Sequence, residues 1–154
     1  MKILVSACLL GENCKYNGRN NFNSSLDDLL RRSDIEIVSV CPEVMGGLPT
    51  PRVPSEIVGG IVTNREGKNV DREFRIGAER ALAKTCGRID FAVLKANSPS
   101  CGFGQIYDGT FSGTKIAGNG IFADLLIKRG IRIFTENQIK EIKQAILEGG
   151  KNDC

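Results

Sequence analysis

Apolar residues along this chain form four short continuous runs, and segments with apolar residues at helical spacing separate or follow them. The runs have the length and β-branched content of buried strands, and they comprise residues 2–6, 35–40, 91–94 and 131–134. The helical segments comprise residues 24–32, 70–85, 121–128 and 136–147. Strands that alternate with helices predict an α/β protein with a three-layer, Rossmann-like fold and a mainly parallel sheet of about four to five strands.

Two loop regions between these elements have unusual compositions. Residues 41–54 contain four of the five prolines and two glycines, which predicts a rigid, shaped loop without regular structure. Residues 109–120 are rich in glycine, and the helix that follows them offers its N-terminus as a cradle for an anion or a polar group. A small hairpin with a Gly59-Gly60 turn is predicted over residues 56–64.

Composition bounds the class of protein. A chain of 154 residues with 41% hydrophobic and 25% charged residues suits one globular domain over residues 1–154. No stretch approaches the roughly 20 apolar residues of a membrane span, and the N-terminus lacks the features of a signal peptide, so we expect a cytoplasmic protein with no membrane partner. The net charge is only +3 without a dense basic run, which disfavours nucleic acid as a partner.

The chain contains six cysteines and no histidine. The scattered cysteine spacing and the missing export signal favour reduced thiols over disulfides. The absence of histidine excludes a Ser/His or Cys/His catalytic pair and every His-ligated zinc pattern. Any general acid or base must therefore be a carboxylate, lysine, tyrosine or cysteine.

Three of the cysteines follow predicted strands. Cys8 comes after the first strand, Cys41 after the second, and Cys101 lies on the tight polar loop after the third. Because the carboxyl ends of neighbouring parallel strands share one edge of a sheet, we expect these thiols to meet there. Three converging thiolates are typical of a soft-metal or iron-sulfur site.

The other three cysteines carry weaker signals. Cys14 lies in a polar loop six residues after Cys8. Two interpretations stay open for it: a fourth metal ligand, or a thiol with no part in metal binding. Cys86 falls at helical spacing on the inner face of the segment 70–85, so we expect a buried thiol without a chemical role. Cys154 belongs to the C-terminal tail, where we expect an inert thiol.

Glu43 lies two residues after Cys41 in the proline-rich loop. A carboxylate that is held beside a thiol in a rigid apolar loop is a candidate general acid or base. The alternative is a loop carboxylate that forms a salt bridge with Arg52 or Arg19.

Polar residues also surround Cys101. Ser98 and Ser100 either turn the loop or present hydroxyls beside the thiol. Lys95 is a solvated residue or a charge directed at a substrate, and Gly102 allows a turn. From this placement we predict that Lys95, Ser100 and Gly102 contact the substrate.

At these residues the chain resembles, over essentially its full length, a small bacterial and archaeal domain-of-unknown-function family that includes thiouracil desulfidase. The matching segments are Ser6–Gly11 with Tyr16–Gly18, Cys41–Arg52, and Leu94–Gly102. The resemblance implies a [4Fe-4S] cluster that is bound by three cysteines and has one open iron, free of protein ligands. The positions that match its ligands and its catalytic carboxylate and serine are Cys8, Cys41, Cys101, Glu43 and Ser98.

The resemblance also implies a non-redox desulfidase that removes sulfur as sulfide from a small-molecule thiolated nucleobase such as thiouracil. An open iron suits this reaction, because a soft Lewis acid can hold a thiocarbonyl sulfur while water adds to the adjacent carbon. Two alternatives remain open: a sulfur- or metal-carrying protein without turnover, and a desulfidase of thiolated tRNA. The mild charge and the missing RNA-binding module disfavour the second.

Overall fold

The computed structural model describes residues 1–151, so Cys154 lies outside the described residues. The strands are, in chain order, β1 (Lys2–Ser6), β2 (Glu36–Val40), β3 (Ser55–Val58), β4 (Ile61–Asn64), β5 (Phe91–Leu94), β6 (Gln105–Tyr107), β7 (Lys115–Ala117) and β8 (Ile133–Thr135). The α-helices are α1 (Ser24–Leu30), α2 (Pro42–Met45), α3 (Asp71–Ala83), α4 (Ile121–Lys128) and α5 (Ile139–Lys151). A short 3-10 helix, Ala7–Leu10, follows β1.

The central sheet has the strand order β2-β1-β5-β8, and each neighbouring pair is parallel. In this register Leu4 lies between Val38 and Ala92. The other four strands form two antiparallel hairpins, β3-β4 and β6-β7. The prediction of a mainly parallel α/β sheet is confirmed, and so is the hairpin with the Gly59-Gly60 turn.

Helices cover both faces of the sheet, which explains why the strands are continuous apolar runs rather than alternating ones. On one face, Leu4 and Leu94 pack with residues of α3 and α4 such as Phe122. On the other face, Ile3 and Val5 pack with residues of α1 and α5. None of the helices within the described residues has the length and apolar composition that crossing a membrane requires.

Two loop predictions are corrected by the structure. The proline-rich segment contains the helical turn α2, because Pro42 occupies the first helical turn, where its missing N–H and fixed φ angle are tolerated. The glycine-rich segment 109–120 contains β7, which pairs with β6 to form a hairpin. Glycine content indicated the turn of this hairpin but not its three-residue strands.

The expected burial of Cys86 is wrong. Helix α3 ends at Ala83, three residues before Cys86, and the chain then turns away through Gly87. Cys86 has a left-handed backbone with φ of 37° and is exposed. Helical periodicity was therefore extended beyond the residue at which the helix ends. The terminal helix also differs from its prediction, since it begins at Ile139 and continues through Lys151.

Helix α2 is held against α3 by a close backbone approach at two glycines. A Cβ atom on Gly77 would collide with the carbonyl oxygen of Pro42, and one on Gly46 would collide with the carbonyl oxygen of Glu73. Because Cys41 and Glu43 flank Pro42, this approach fixes where they lie relative to the sheet.

Replacement of Gly77 by alanine is therefore expected to destabilise the protein, although alanine is the better helix former. We expect G77A to lower the free energy of unfolding by about 2 kcal/mol, since α2 must move away from α3. Equilibrium unfolding in urea measures the change. The control is Glu79→Ala on the exposed face of α3, which should shift stability by no more than about 0.5 kcal/mol. Equal stability of G77A and E79A would contradict the prediction.

Candidate active site

A cavity of about 470 Å³ opens at the carboxyl edge of the central sheet. Its chemically active lining residues are Cys8, Cys14, Cys41, Glu43, Lys95, Ser98, Ser100 and Cys101. A second cavity, of about 640 Å³, lies at the opposite edge of the sheet and is lined by Met1, Lys2 and Phe91 among others, without any cysteine. The thiols therefore identify the first cavity as the site of interest.

The ends of β1, β2 and β5 each lead to one thiol of this cavity. Cys8 lies in the 3-10 helix after β1, and Cys41 lies between β2 and α2. Cys101 is held from behind by the N-terminus of α4, whose Phe122 amide donates to the Ser100 carbonyl at 2.8 Å. The Ile121 amide likewise donates to the Pro99 carbonyl at 2.9 Å. The predicted anion cradle of this helix is thus occupied by the loop itself.

Burial shapes the ionisation of Cys8 and Cys101. Loss of solvent raises the pKa of both thiols, and the negative charges of Cys8 and Cys41 would raise the pKa of Cys101 further. Hydrogen bonds partly offset these effects. Asn21 donates its amide to the Cys8 sulfur at 3.3 Å, and the Ser6 hydroxyl is bonded to Cys101.

Cys14 and Cys41 form a contacting pair. The Cys41 sulfur lies 3.8 Å from the backbone oxygen of Cys14, and the two side chains hydrogen-bond one another. This hydrogen bond lowers the pKa of Cys41 to about 7 and raises the pKa of Cys14. Cys14, which was left open as a ligand or bystander, is therefore buried beside a thiol of the site.

Three thiols that line one cavity are a donor set that suits an iron-sulfur cluster. Within residues 1–151, no three Cys, Asp or Glu side chains form a group that could hold one metal ion. A cluster is larger, and its thiolate ligands attach to different irons, so they need not converge on one point. Positive charge in this cavity would also favour the thiolate forms that burial disfavours.

A chain of polar contacts runs along one side of the cavity. The Ser98 oxygen accepts the backbone N–H groups of Ser100 at 3.1 Å and Cys101 at 3.0 Å. The Ser100 hydroxyl donates to the Glu43 carboxylate at 3.0 Å. Because the single proton of Ser100 is then engaged, the Ser98 hydroxyl donates across the 2.9 Å contact between the two serine oxygens.

Arg52 completes this chain. Its side chain is only 6% exposed, and its Nε donates to Glu43 at 3.1 Å. The other guanidinium nitrogens donate to Pro49, Thr50 and the Cys14 carbonyl. The alternative in which Glu43 forms a salt bridge with Arg52 is thus present in the structure, and it places the carboxylate in the cavity lining beside Ser100.

The remaining predicted substrate contacts are placed differently. Lys95 lines the cavity, but its ammonium group is paired with Glu136 at 2.9 Å and donates to the Ala96 carbonyl. Gly102 is not among the described residues that line the cavity. It packs against the Ser98 carbonyl and the Ile106 side chain, where a Cβ atom would not fit.

Sequence reasoning missed several residues of the site. Glu136 immediately follows β8, so the strand-end argument used for the cysteines would have found it had it been applied to carboxylates. Ser6 ends β1 and was overlooked beside Cys8. No sequence feature pointed to Asn21, because its contact with the Cys8 sulfur depends on how the loop folds back. The hairpins add further lining residues, Glu56, Arg65, Tyr107 and Phe111.

Three comparisons relate the chain to known proteins. A family model described as 2-thiouracil desulfurase matches residues 3–138. The chain is 40% identical over 151 residues to the uncharacterized protein YbbK of Bacillus subtilis (strain 168), with 91% of this chain and 99% of YbbK covered. The solved structure of the [4Fe-4S]-dependent thiouracil desulfidase TudS is 44% identical, with a TM-score of 0.85 over 94% of this chain and 97% of that one.

The contacts of Arg52 predict a stability effect. Replacement of Arg52 by methionine leaves the Glu43 carboxylate half-buried without its cation, and we expect the free energy of unfolding to fall by about 3 kcal/mol. Lysine at this position should recover only part of the loss, because an ammonium group cannot reach Glu43 and the loop carbonyls together. Urea unfolding of the full chain provides the measurement.

The matched control for this series is Arg31→Met. Arg31 also pairs with a carboxylate, that of Asp27, but its side chain is 74% exposed. Exposed pairs contribute little to stability, so this variant should unfold like the wild type. An R52M variant as stable as R31M would show that Arg52 does not anchor the site.

Proposed function

Since this chain belongs to the 2-thiouracil desulfurase family, we propose that it is an iron-sulfur-dependent, non-redox desulfidase that releases sulfide from a thiolated pyrimidine such as thiouracil. The observation that carries the proposal is the meeting of three strand-end thiols with a Glu43-Ser100-Ser98 chain in one cavity. The similarity to a [4Fe-4S]-dependent thiouracil desulfidase at 44% identity supports the cofactor and the substrate class.

We assign Cys8, Cys41 and Cys101 as the cluster ligands. Each follows a different strand of the sheet, and all three line the same cavity. When bound through three thiolates, the cluster supplies one iron without a protein ligand, a soft Lewis acid with a preference for sulfur.

The overall reaction converts C=S and water into C=O and hydrogen sulfide, with no net transfer of electrons. A water molecule that adds to the thiocarbonyl carbon must lose a proton. Glu43 is the acceptor that we assign, because its carboxylate lines the cavity and Arg52 and Ser100 fix its orientation. The departing sulfur needs a proton in turn, which Glu43 can return.

Ser98 and Ser100 position this carboxylate and the substrate. Ser100 is almost fully buried and joins Glu43 to Ser98. The two backbone N–H groups on the Ser98 oxygen hold its side chain in one orientation at the cavity wall. When the substrate binds, the Ser98 hydroxyl can turn its proton from Ser100 to a polar group of the pyrimidine, while its oxygen stays fixed by these two N–H groups.

Lys95 contributes charge, since its ammonium group lies close enough to favour the thiolate of Cys8. We propose that Lys95 and Ser100 face the substrate and that Gly102 acts indirectly. With no side chain, Gly102 lets its own amide bond the Ser98 carbonyl at 2.8 Å and thereby shapes the loop.

Cluster ligation predicts a simple pattern of iron content. After anaerobic purification and reconstitution, the wild type should bind about four iron and four sulfide per chain and show a visible iron-sulfur absorption band. Serine at Cys8, Cys41 or Cys101 should abolish stable cluster binding and sulfide release from 2-thiouracil. Cys86→Ser is the control, because that thiol is exposed and does not line the cavity. Activity in a cluster-free variant would contradict the assignment.

Glu43 and Ser98 variants test the proton path separately from the cofactor. We expect Glu43→Gln to reduce kcat by at least about a hundredfold while it keeps the iron content of the wild type, because an amide cannot accept the proton. Ser98→Ala should also retain the cluster and lose activity. The assay follows sulfide and uracil together, so that binding without turnover is distinguished from hydrolysis. Full turnover by the cluster-loaded E43Q variant would exclude Glu43 as the base.

A further inference from the structure

Cys14 is the one thiol in the cavity lining to which the proposed reaction gives no task. It is buried, and its side chain contacts that of the assigned ligand Cys41. Its backbone is fixed on both sides, because its amide donates to the Glu12 carbonyl at 2.9 Å and its carbonyl accepts from Arg52 at 2.8 Å. The contact with Cys41 is therefore part of the anchored loop.

We propose that Cys14 is a resolving cysteine, which forms a reversible disulfide with Cys41 when the cluster is lost under oxidising conditions. The oxidant is a peroxide. The Cys41 thiolate attacks one peroxide oxygen and becomes a sulfenic acid as the O–O bond breaks and water leaves. The Cys14 sulfur then attacks the Cys41 sulfur, and a second water leaves as the S–S bond forms. In sum, two thiols and hydrogen peroxide give one disulfide and two waters.

The surroundings of the four thiols favour this pair over the others. The Cys8 sulfur accepts a hydrogen bond from the Asn21 amide, and the Cys101 sulfur is bonded to the Ser6 hydroxyl and lies 3.7 Å from the Ser100 oxygen. The Cys41 side chain is hydrogen-bonded to that of Cys14, and its sulfur lies 3.8 Å from the Cys14 backbone oxygen. Since disulfide formation requires close thiols, Cys41 has one partner already in place.

The disulfide would allow the protein to recover its cluster after oxidation, an inference that rests on the proposed function. A sulfenic acid with no partner thiol is oxidised further to a sulfinic acid, which dithiothreitol does not reduce. A disulfide at Cys41 is reducible, so the ligand survives and the cluster can be rebuilt. Cys14 would then protect the cluster site without binding the cluster.

Peptide mapping tests the disulfide directly. Reconstituted full-length protein is treated with hydrogen peroxide, free thiols are blocked with iodoacetamide, and the protein is digested with trypsin and with a glutamate-specific protease. Cleavage after Glu12 separates Cys8 from Cys14, so the partner of Cys41 can be identified. We expect Cys14 to be the main partner. Linkage of Cys41 mainly to Cys8 or Cys101, or a Cys41 that is mainly sulfinic, would overturn the proposal.

Recovery of iron tests the protective role. After peroxide, dithiothreitol and a second reconstitution, the wild type and Cys86→Ser should regain most of their iron, whereas Cys14→Ser should regain less than about half. Cys14→Ala serves as a second variant in case the serine hydroxyl disturbs folding at this buried position. Equal recovery in all variants would overturn the role of Cys14. A wild type that never binds iron would instead reject the proposed function, and the peptide map would still decide on the disulfide.

Discussion

Burial of three thiols at one edge of a parallel sheet is the constraint from which the rest of the site follows. The sheet forces this meeting, because β1, β2 and β5 are neighbours whose carboxyl ends share an edge. Burial raises the pKa of Cys8 and Cys101, and each neighbouring thiolate raises it further. For Cys41, the hydrogen bond with Cys14 outweighs burial and lowers the pKa. A positively charged group of several irons relieves both penalties, which a neutral substrate cannot do.

The loops and the helix that surround the thiols are held together by one buried guanidinium. Arg52 joins three parts of the chain that do not otherwise form one element: the helix that carries Glu43, the proline-rich loop, and the polar loop around Cys14. Five donors in a planar fork make arginine suited to this task. The glycine contact between α2 and α3 acts in the same direction, because it fixes the backbone on which Cys41 and Glu43 stand.

Much of this arrangement could be predicted from the sequence, and the exceptions have physical reasons. The strands were predictable because both faces of the sheet are covered, so each appears as an uninterrupted apolar run. The placement of the three thiols at one edge of the sheet was predictable because each of them follows a strand. Helix α2 and the strands β6 and β7 were missed because each is short and, unlike β5, contains no continuous apolar run. Cys86 was misplaced because periodicity does not reveal where a helix ends.

The site also shows which features no local pattern can reveal. Contacts such as Asn21 with the Cys8 sulfur, or Glu136 with Lys95, join loops that are distant in sequence. Their chemistry is set by how loops fold back over the sheet edge. The roles given to Glu43, Ser98 and the three cysteines therefore stay predictions, whereas their proximity is a property of the fold.

Two walls of the cavity come from different parts of the fold. The sheet edge supplies the thiols and the carboxylate, whereas the two hairpins supply Tyr107, Phe111 and Arg65. Buried Glu56 joins these hairpins, since its carboxylate accepts the amides of Gly109 at 3.0 Å and Phe111 at 3.1 Å.

These bonds hold Phe111 in a left-handed conformation, with φ of 56°, that a bulky residue rarely adopts. The Arg65 guanidinium lies 5.9 Å from the centre of its ring. The Phe111 ring is thus a fixed part of the cavity wall, and a buried carboxylate holds it in place. Changes confined to the hairpins can therefore reshape this wall while the thiols stay where the sheet places them.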